Sequence, residues 1–126
     1  MTLIEVLFAI VILSGVMLAL SRFGTSFSRA TSNAAEVAIA SDLAAARIEV
    51  VKAHGVYSTL VSTFNSTTET SATTANPSMA GYAGYTRTTA VTFVQNDSLD
   101  YAVVTVTVTS DLLSSPMTKT VAIAAF

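Results

Sequence analysis

The sequence predicts an α+β fold: a long N-terminal α-helix packed on a C-terminal antiparallel sheet of three to four strands. Three observations carry this. Residues 6 to 20 are apolar apart from Ser14, within a 1–20 stretch long enough for a membrane-crossing helix. Val37, Ala40, Leu43, Ala44, Ile48 and Val51 then recur at three- and four-residue steps, the period of one helix face. Finally, Val103 to Thr109 alternates Val with Thr, the period of a half-buried strand.

The elements follow in order. A helix over residues 1 to 20 would be roughly 30 Å long, enough to cross a bilayer core. One acid, Glu5, stands in this stretch, and the next charge is Arg22. A charge at a membrane helix centre costs about 2.5–3.5 kcal/mol; near the end the cost is lower, but the carboxylate still needs a partner. Arg22-Phe23-Gly24-Thr25-Ser26 changes the composition and marks a membrane edge. The amphipathic stripe continues the helix to about His54, with Asp42 and Glu49 on its opposite side, and Gly55 ends it. Such a helix would be about 80 Å long, so only its second half is expected to pack within a globule of this size. Ser14-Gly15 and Gly24 are the expected places for bending or local melting, each Gly costing about 1 kcal/mol relative to Ala. Close packing of a neighbouring helix on Gly15 explains that residue equally well.

Ser58 to Ser78 is rich in Ser and Thr and reads as a solvent-facing loop, with a short helical turn around Val56 to Phe64. Tyr85 to Gln95 reads as a strand turned by Asn96-Asp97-Ser98. The Val/Thr strand follows, then a turn from Asp111 to Pro116 and a final strand with Lys119, Val121, Ile123 and Ala125 alternating. The chain therefore divides into an apolar helix (1–24), an amphipathic helix (25–54), a Ser/Thr-rich connection (55–84) and an antiparallel meander (85–126).

Composition narrows the function classes. The chain has 126 residues, 52% of them hydrophobic, and a net charge of −2. Beyond Gly55, Arg87 and Lys119 face Glu69, Asp97, Asp100 and Asp111, all read as exposed, so no basic face for nucleic acid is expected. There is no cysteine, which excludes a disulfide framework or thiolate site. No basic region precedes the apolar run, so it reads as a mature start after leader removal, or as the anchor itself.

His54 is the sole histidine and reads as a C-terminal helix cap rather than as part of a triad or metal site. Asn96, Asp97 and Asp100 offer oxygens to Ca²⁺, but a polar turn explains them as well. Asn65-Ser66-Thr67 and Asn96-Asp97-Ser98 match the N-glycosylation pattern weakly. Tyr57, Tyr82, Tyr85 and Tyr101 read as packing or loop anchors. No catalytic constellation, metal site or cofactor is expected.

Thr2-Leu3-Ile4-Glu5-Val6, the apolar run, the amphipathic helix and the meander together resemble a mature type IV pilin or pseudopilin. The motif resemblance covers roughly the first 20 residues; beyond them it is architectural. It implies cleavage by a prepilin peptidase and N-methylation at Met1. It further implies insertion in a bacterial inner membrane, handling by the pilus assembly machinery there, and polymerisation into an extracellular filament. Met1 stands where many major subunits carry Phe, a pattern shared with minor pilins and secretion pseudopilins; a pseudopilin would stay in the periplasm. The C-terminal cysteine pair of many pilins is missing, as is a proline near Arg22.

The resemblance implies that Glu5 of one subunit meets the Met1 amine of another. It also implies a filament core packed from Leu3, Ile4, Leu7, Phe8, Ile10, Val11, Ile12 and Leu13, with Ser14, Gly15 and Gly24 as candidate melting points. The bland reading of Glu5 is that it complements its own helix dipole or reaches its own N-terminus. A major pilin is the leading expectation and a minor pilin or type II secretion pseudopilin the runner-up. A non-polymerising single-pass membrane protein with a binding domain is the remoter rival. Adhesion, twitching motility, DNA uptake and secretion all stay open.

Overall fold

The computed structural model describes residues 2–72, 77–96 and 99–125. Helix α1 (Leu3–Lys52) carries unbroken helical hydrogen bonding through Gly15 and Gly24. Contacts divide the chain into two compact units, residues 1–34 and 35–126.

The first unit is helix alone. Its side chains are exposed throughout the described part, including every large apolar residue from Leu3 to Phe27. It contains the only stretch of described helix long and apolar enough to cross a membrane, with a mean hydropathy of 2.7 over its most apolar window.

The second unit is the α+β domain. Ala40, Leu43, Ala44, Ile48 and Val51 of α1 are buried, as their spacing predicts. Beyond α1, a 3-10 turn (Tyr57–Thr59) leads into the short helix α2 (Leu60–Phe64), the helical turn expected near Val56–Phe64. Strands β1 (Thr67–Thr70), β2 (Tyr85–Asn96), β3 (Leu99–Ser110) and β4 (Met117–Ala124) form one antiparallel sheet in that order. Strand β1 lies inside the segment read as loop. It contains no apolar residue and is a strand because its backbone pairs with β2. Gly84, with a φ of 85°, makes the turn into β2 in the left-handed region that favours glycine.

The two faces of the sheet differ in chemistry. Ala102, Val104, Val106 and Val108 of β3 are buried with Tyr85 and Val91 of β2, and Leu60, Phe64 and Met79 complete the core. The opposite face carries threonines in register. One row crosses all four strands as Thr68, Thr88, Thr107 and Thr118. The hydroxyls of Thr107 and Thr118, and of Thr105 and Thr120, lie 3.3 Å apart. Valine in and threonine out is what a period-two repeat does on a pleated strand.

The core also holds charges that the sequence assigns to solvent. Glu69 and Arg87 are 5% and 1% exposed, and Arg47 of α1 is 5% exposed. This corrects the reading of Glu69 and Arg87 as surface charges. The two cancel each other, so the expectation of an acidic, non-basic surface is unchanged.

Candidate functional site

The N-terminal turn is built by its own residues. Thr2 precedes the helix and its carbonyl accepts from the N–H groups of Glu5 at 3.0 Å and Val6 at 3.4 Å. Glu5 bends back so that its Oε2 accepts the Thr2 N–H at 3.2 Å. This is the Glu half of a capping box, in which the third helical residue satisfies the N-cap amide. The carboxylate also lies at the positive end of the helix dipole, where an anion is favoured. Thr-x-x-Glu before an apolar run is a sequence signature of that cap, a specific form of the local role considered for Glu5. Met1, the other member of the expected pair, lies outside the described residues.

Beyond Glu5 the helix presents apolar side chains in a pattern that can receive another helix. Ile4, Leu7, Phe8 and Val11 surround one surface hollow of about 170 Å³. Thr2, Leu3, Val6, Leu7 and Ile10 surround a second. Residues at i, i+3, i+4 and i+7 form the four-cornered hole into which a facing side chain packs in knobs-into-holes association. Ile10, Val11, Ile12 and Leu13 are all more than half exposed.

Four hydroxyls of this helix bond back to its own carbonyls. Ser14 Oγ donates to the Ile10 carbonyl at 2.7 Å, Ser21 to Met17 at 3.0 Å, Thr25 to Ser21 at 2.9 Å and Thr31 to Phe27 at 3.0 Å. Such back-bonding shares the helical acceptors and favours bending, and Ser14 and Thr25 stand next to Gly15 and Gly24. A Cβ built on either glycine meets nothing within 4 Å. Any close approach at these glycines therefore involves another molecule.

A second constellation holds the α+β domain together. Glu69 Oε1 pairs with Arg47 Nη1 at 3.2 Å and its Oε2 with Arg87 Nε at 2.8 Å. Arg47 also donates from Nε to Thr89 and from Nη2 to Thr67, both at 3.1 Å, and its guanidinium lies 5.1 Å from the Phe64 ring centre. Arg87 donates from Nη1 to the Leu43 carbonyl at 3.0 Å and from Nη2 to Ser78 at 3.2 Å. Burial lowers the Arg47 pKa, Glu69 raises it, and Arg87 lowers it further. Sequence reasoning missed this cluster, though one signal was present: Arg47 falls on the Leu43–Ala44–Ile48–Val51 stripe, where a charge requires a partner.

Tyr85 is buried and its hydroxyl donates to Glu36 of α1; burial first, then that hydrogen bond and charge, push its pKa up to about 12. His54 does not cap the helix with its ring. Nε2 meets Thr59 Oγ1 at 2.8 Å and the ring stands edge-on to Phe64 at 5.2 Å, because the chain turns back directly after Lys52. Asn65 Oδ1 accepts the Val91 N–H at 3.0 Å, which engages the side chain that glycosylation would need. The calcium and second glycosylation readings rest on Asp97 and Ser98, outside the described residues. Among the described residues no three His, Cys, Asp or Glu side chains group as metal ligands.

Fold and site together define an α+β protein with, among the described residues, one helix long and apolar enough to cross a membrane. Comparison with family models, curated proteins and solved structures gives no match for this chain.

Proposed function

We propose that this chain is a structural subunit of a type IV pilus-like filament, held in a membrane by its apolar helix and polymerised through it. The observation that carries the reading is the helix face from Ile4 to Val11. Its large side chains are exposed and arranged as packing holes, with no partner among the described residues. Lipid covers such a surface before assembly, and identical helices cover it afterwards. Burial of one Leu, Ile or Phe away from water is worth about 1.5–3 kcal/mol. In lipid that term is absent, so van der Waals fit and polar pairing select the partner. Glu5 supplies the polar part. Its bond to Thr2 lowers its cost in the membrane, and exchange of that bond for the Met1 amine of a neighbouring subunit would set the axial register.

The test is Glu5→Ala in the native host. The variant should insert and fold as wild type but yield no sheared filaments; normal filaments would overturn the reading. A specific observation favours a rival: Glu5 is already satisfied within its own chain. A non-polymerising membrane protein would use it only as a cap, and its Glu5→Ala variant would match wild type in oligomeric state. A minor pilin or secretion pseudopilin stays within the same proposal and differs in abundance: sheared fibres would contain this chain as a small fraction.

A further inference from the structure

The sheet ends differently at its two sides. Strand β1 offers an edge of four residues, whereas β4 offers eight, Met117–Ala124. The β4 residues pair one to one with β3 from Ala124↔Tyr101 to Met117↔Val108, so neither bulge nor proline interrupts the strand. Among the described residues no strand pairs with its other side. A long open edge is a template for another strand, and proteins blunt it with shortness, bulges, proline or a charge pointed inwards. Here the charge is Lys119. It stands opposite the fully buried Val106, so its side chain leaves β4 on the core side of the sheet. Met117, Val121 and Ile123 share that side and are only partly buried against the core, as Lys119 is. Among the described residues the Lys119 ammonium has no carboxylate within ion-pair distance and makes no hydrogen bond.

We propose that β4 takes an extended peptide as a fifth, antiparallel strand, and that this peptide carries a carboxylate on its core side beside Lys119. In strand addition the open backbone supplies hydrogen bonds, and the alternate side chains supply specificity. Apolar residues two apart in the incoming strand would cover the outer flanks of Met117, Val121 and Ile123. Lys119 decides which strand is admitted. A wholly apolar strand would take its ammonium out of water with no counter-charge, and a basic strand would add repulsion. A second β4 edge has the same defect, since Met117–Ala124 contains no acid. A carboxylate at that point turns the same burial into a charge-assisted pair. One side chain thus refuses indiscriminate pairing and selects an acid. A helix does not suit the edge, because it satisfies its own backbone and leaves that of β4 unpaired. The proposal uses nothing of the N-terminal helix and stands apart from filament assembly.

The experiment uses the full chain in nonionic detergent and the fluorescence anisotropy of a labelled, end-capped peptide, Thr-Val-Thr-Val-Thr-Glu-Thr-Leu-Thr. The comparison is the same peptide with Lys in place of Glu. The Glu peptide should bind about tenfold or more tightly than the Lys peptide. Lys119→Glu should reverse the order and Lys119→Gln should abolish the difference, with circular dichroism confirming the fold of each variant. Methylation of alternate peptide nitrogens tests strand addition itself. One alternate set faces β4 and abolishes binding when methylated; the other faces away and spares it. No binding of the Glu peptide overturns the proposal, as does equal binding of the two peptides or an equal effect of the two methylated sets. Self-association through β4 that the Glu peptide does not dissociate also overturns it. Repeating the series in a Glu5→Ala background keeps the result separate from polymerisation.

Discussion

Glu69 and Arg87 meet inside the sheet at 2.8 Å, opposite one another in the β1–β2 register, with both side chains almost entirely removed from solvent. The second Glu69 oxygen is taken by Arg47, so one carboxylate joins the helix to two strands. Two guanidiniums on one carboxylate leave a net positive charge in the core, which the neutral oxygens of Thr67, Thr89, Ser78 and Leu43 help to solvate.

Removing the carboxylate should therefore be severe. Glu69→Gln keeps the volume but strands two buried cations, and breaking such a pair costs about 3–5 kcal/mol. Urea unfolding would read this as a lower midpoint at unchanged slope. Replacing all three residues with apolar ones of similar size should be far milder than the single change.

The Tyr85 phenol gives a pH signature. Its pKa is raised from the ordinary value near 10 to about 12, so the folded state holds the proton more tightly than the unfolded state. The corresponding stability is complete below about pH 10 and is lost as pH rises towards 12. Tyr85→Phe should abolish that component of the alkaline stability loss. At neutral pH it should cost about 1 kcal/mol through the lost bond to Glu36. Thermal melts across the alkaline range, paired with phenolate absorbance titration, check both statements.

Neighbouring valines on β3 should respond to very different extents. Val104 and Val106 are fully buried, whereas Val103, between them and Ala102, points to the threonine face and is partly exposed. Val106→Ala should cost about 2 kcal/mol by methyl removal and cavity formation, and Val103→Ala well under half of that. Equal losses would contradict the observed strand register.

Gly15→Ala separates helix propensity from helix contact. Nothing within 4 Å opposes the added methyl, so in the single chain it should stabilise the helix locally by about 1 kcal/mol. Amide hydrogen exchange around Ile10 to Ala19 should slow accordingly. If the assembled filament places another helix against Gly15, the same variant should assemble poorly while folding well.

Local patterns determined most of the architecture. The apolar helix, the Ala40–Val51 stripe and the inward valines of β3 were legible because helix and strand periods are properties of a short window. The same holds for the Thr2–Glu5 cap, whose residues are three apart. Tertiary structure alone decided the rest. Strand β1 has no apolar residue and exists because β2 presents an edge for it to pair with. Glu69 and Arg87 read as solvated charges in isolation, and Arg47 stands on the buried helix stripe with no partner in its own window; only the fold brings helix and strands together so that each charge replaces water for the others. The Tyr57–Asp100 hydrogen bond and the Tyr57–Phe93 ring contact arise the same way, from a turn and a hairpin that are distant in sequence. Sequence periodicity specifies which face of an element leaves water, but not which distant partner it meets, because that choice is a property of packing.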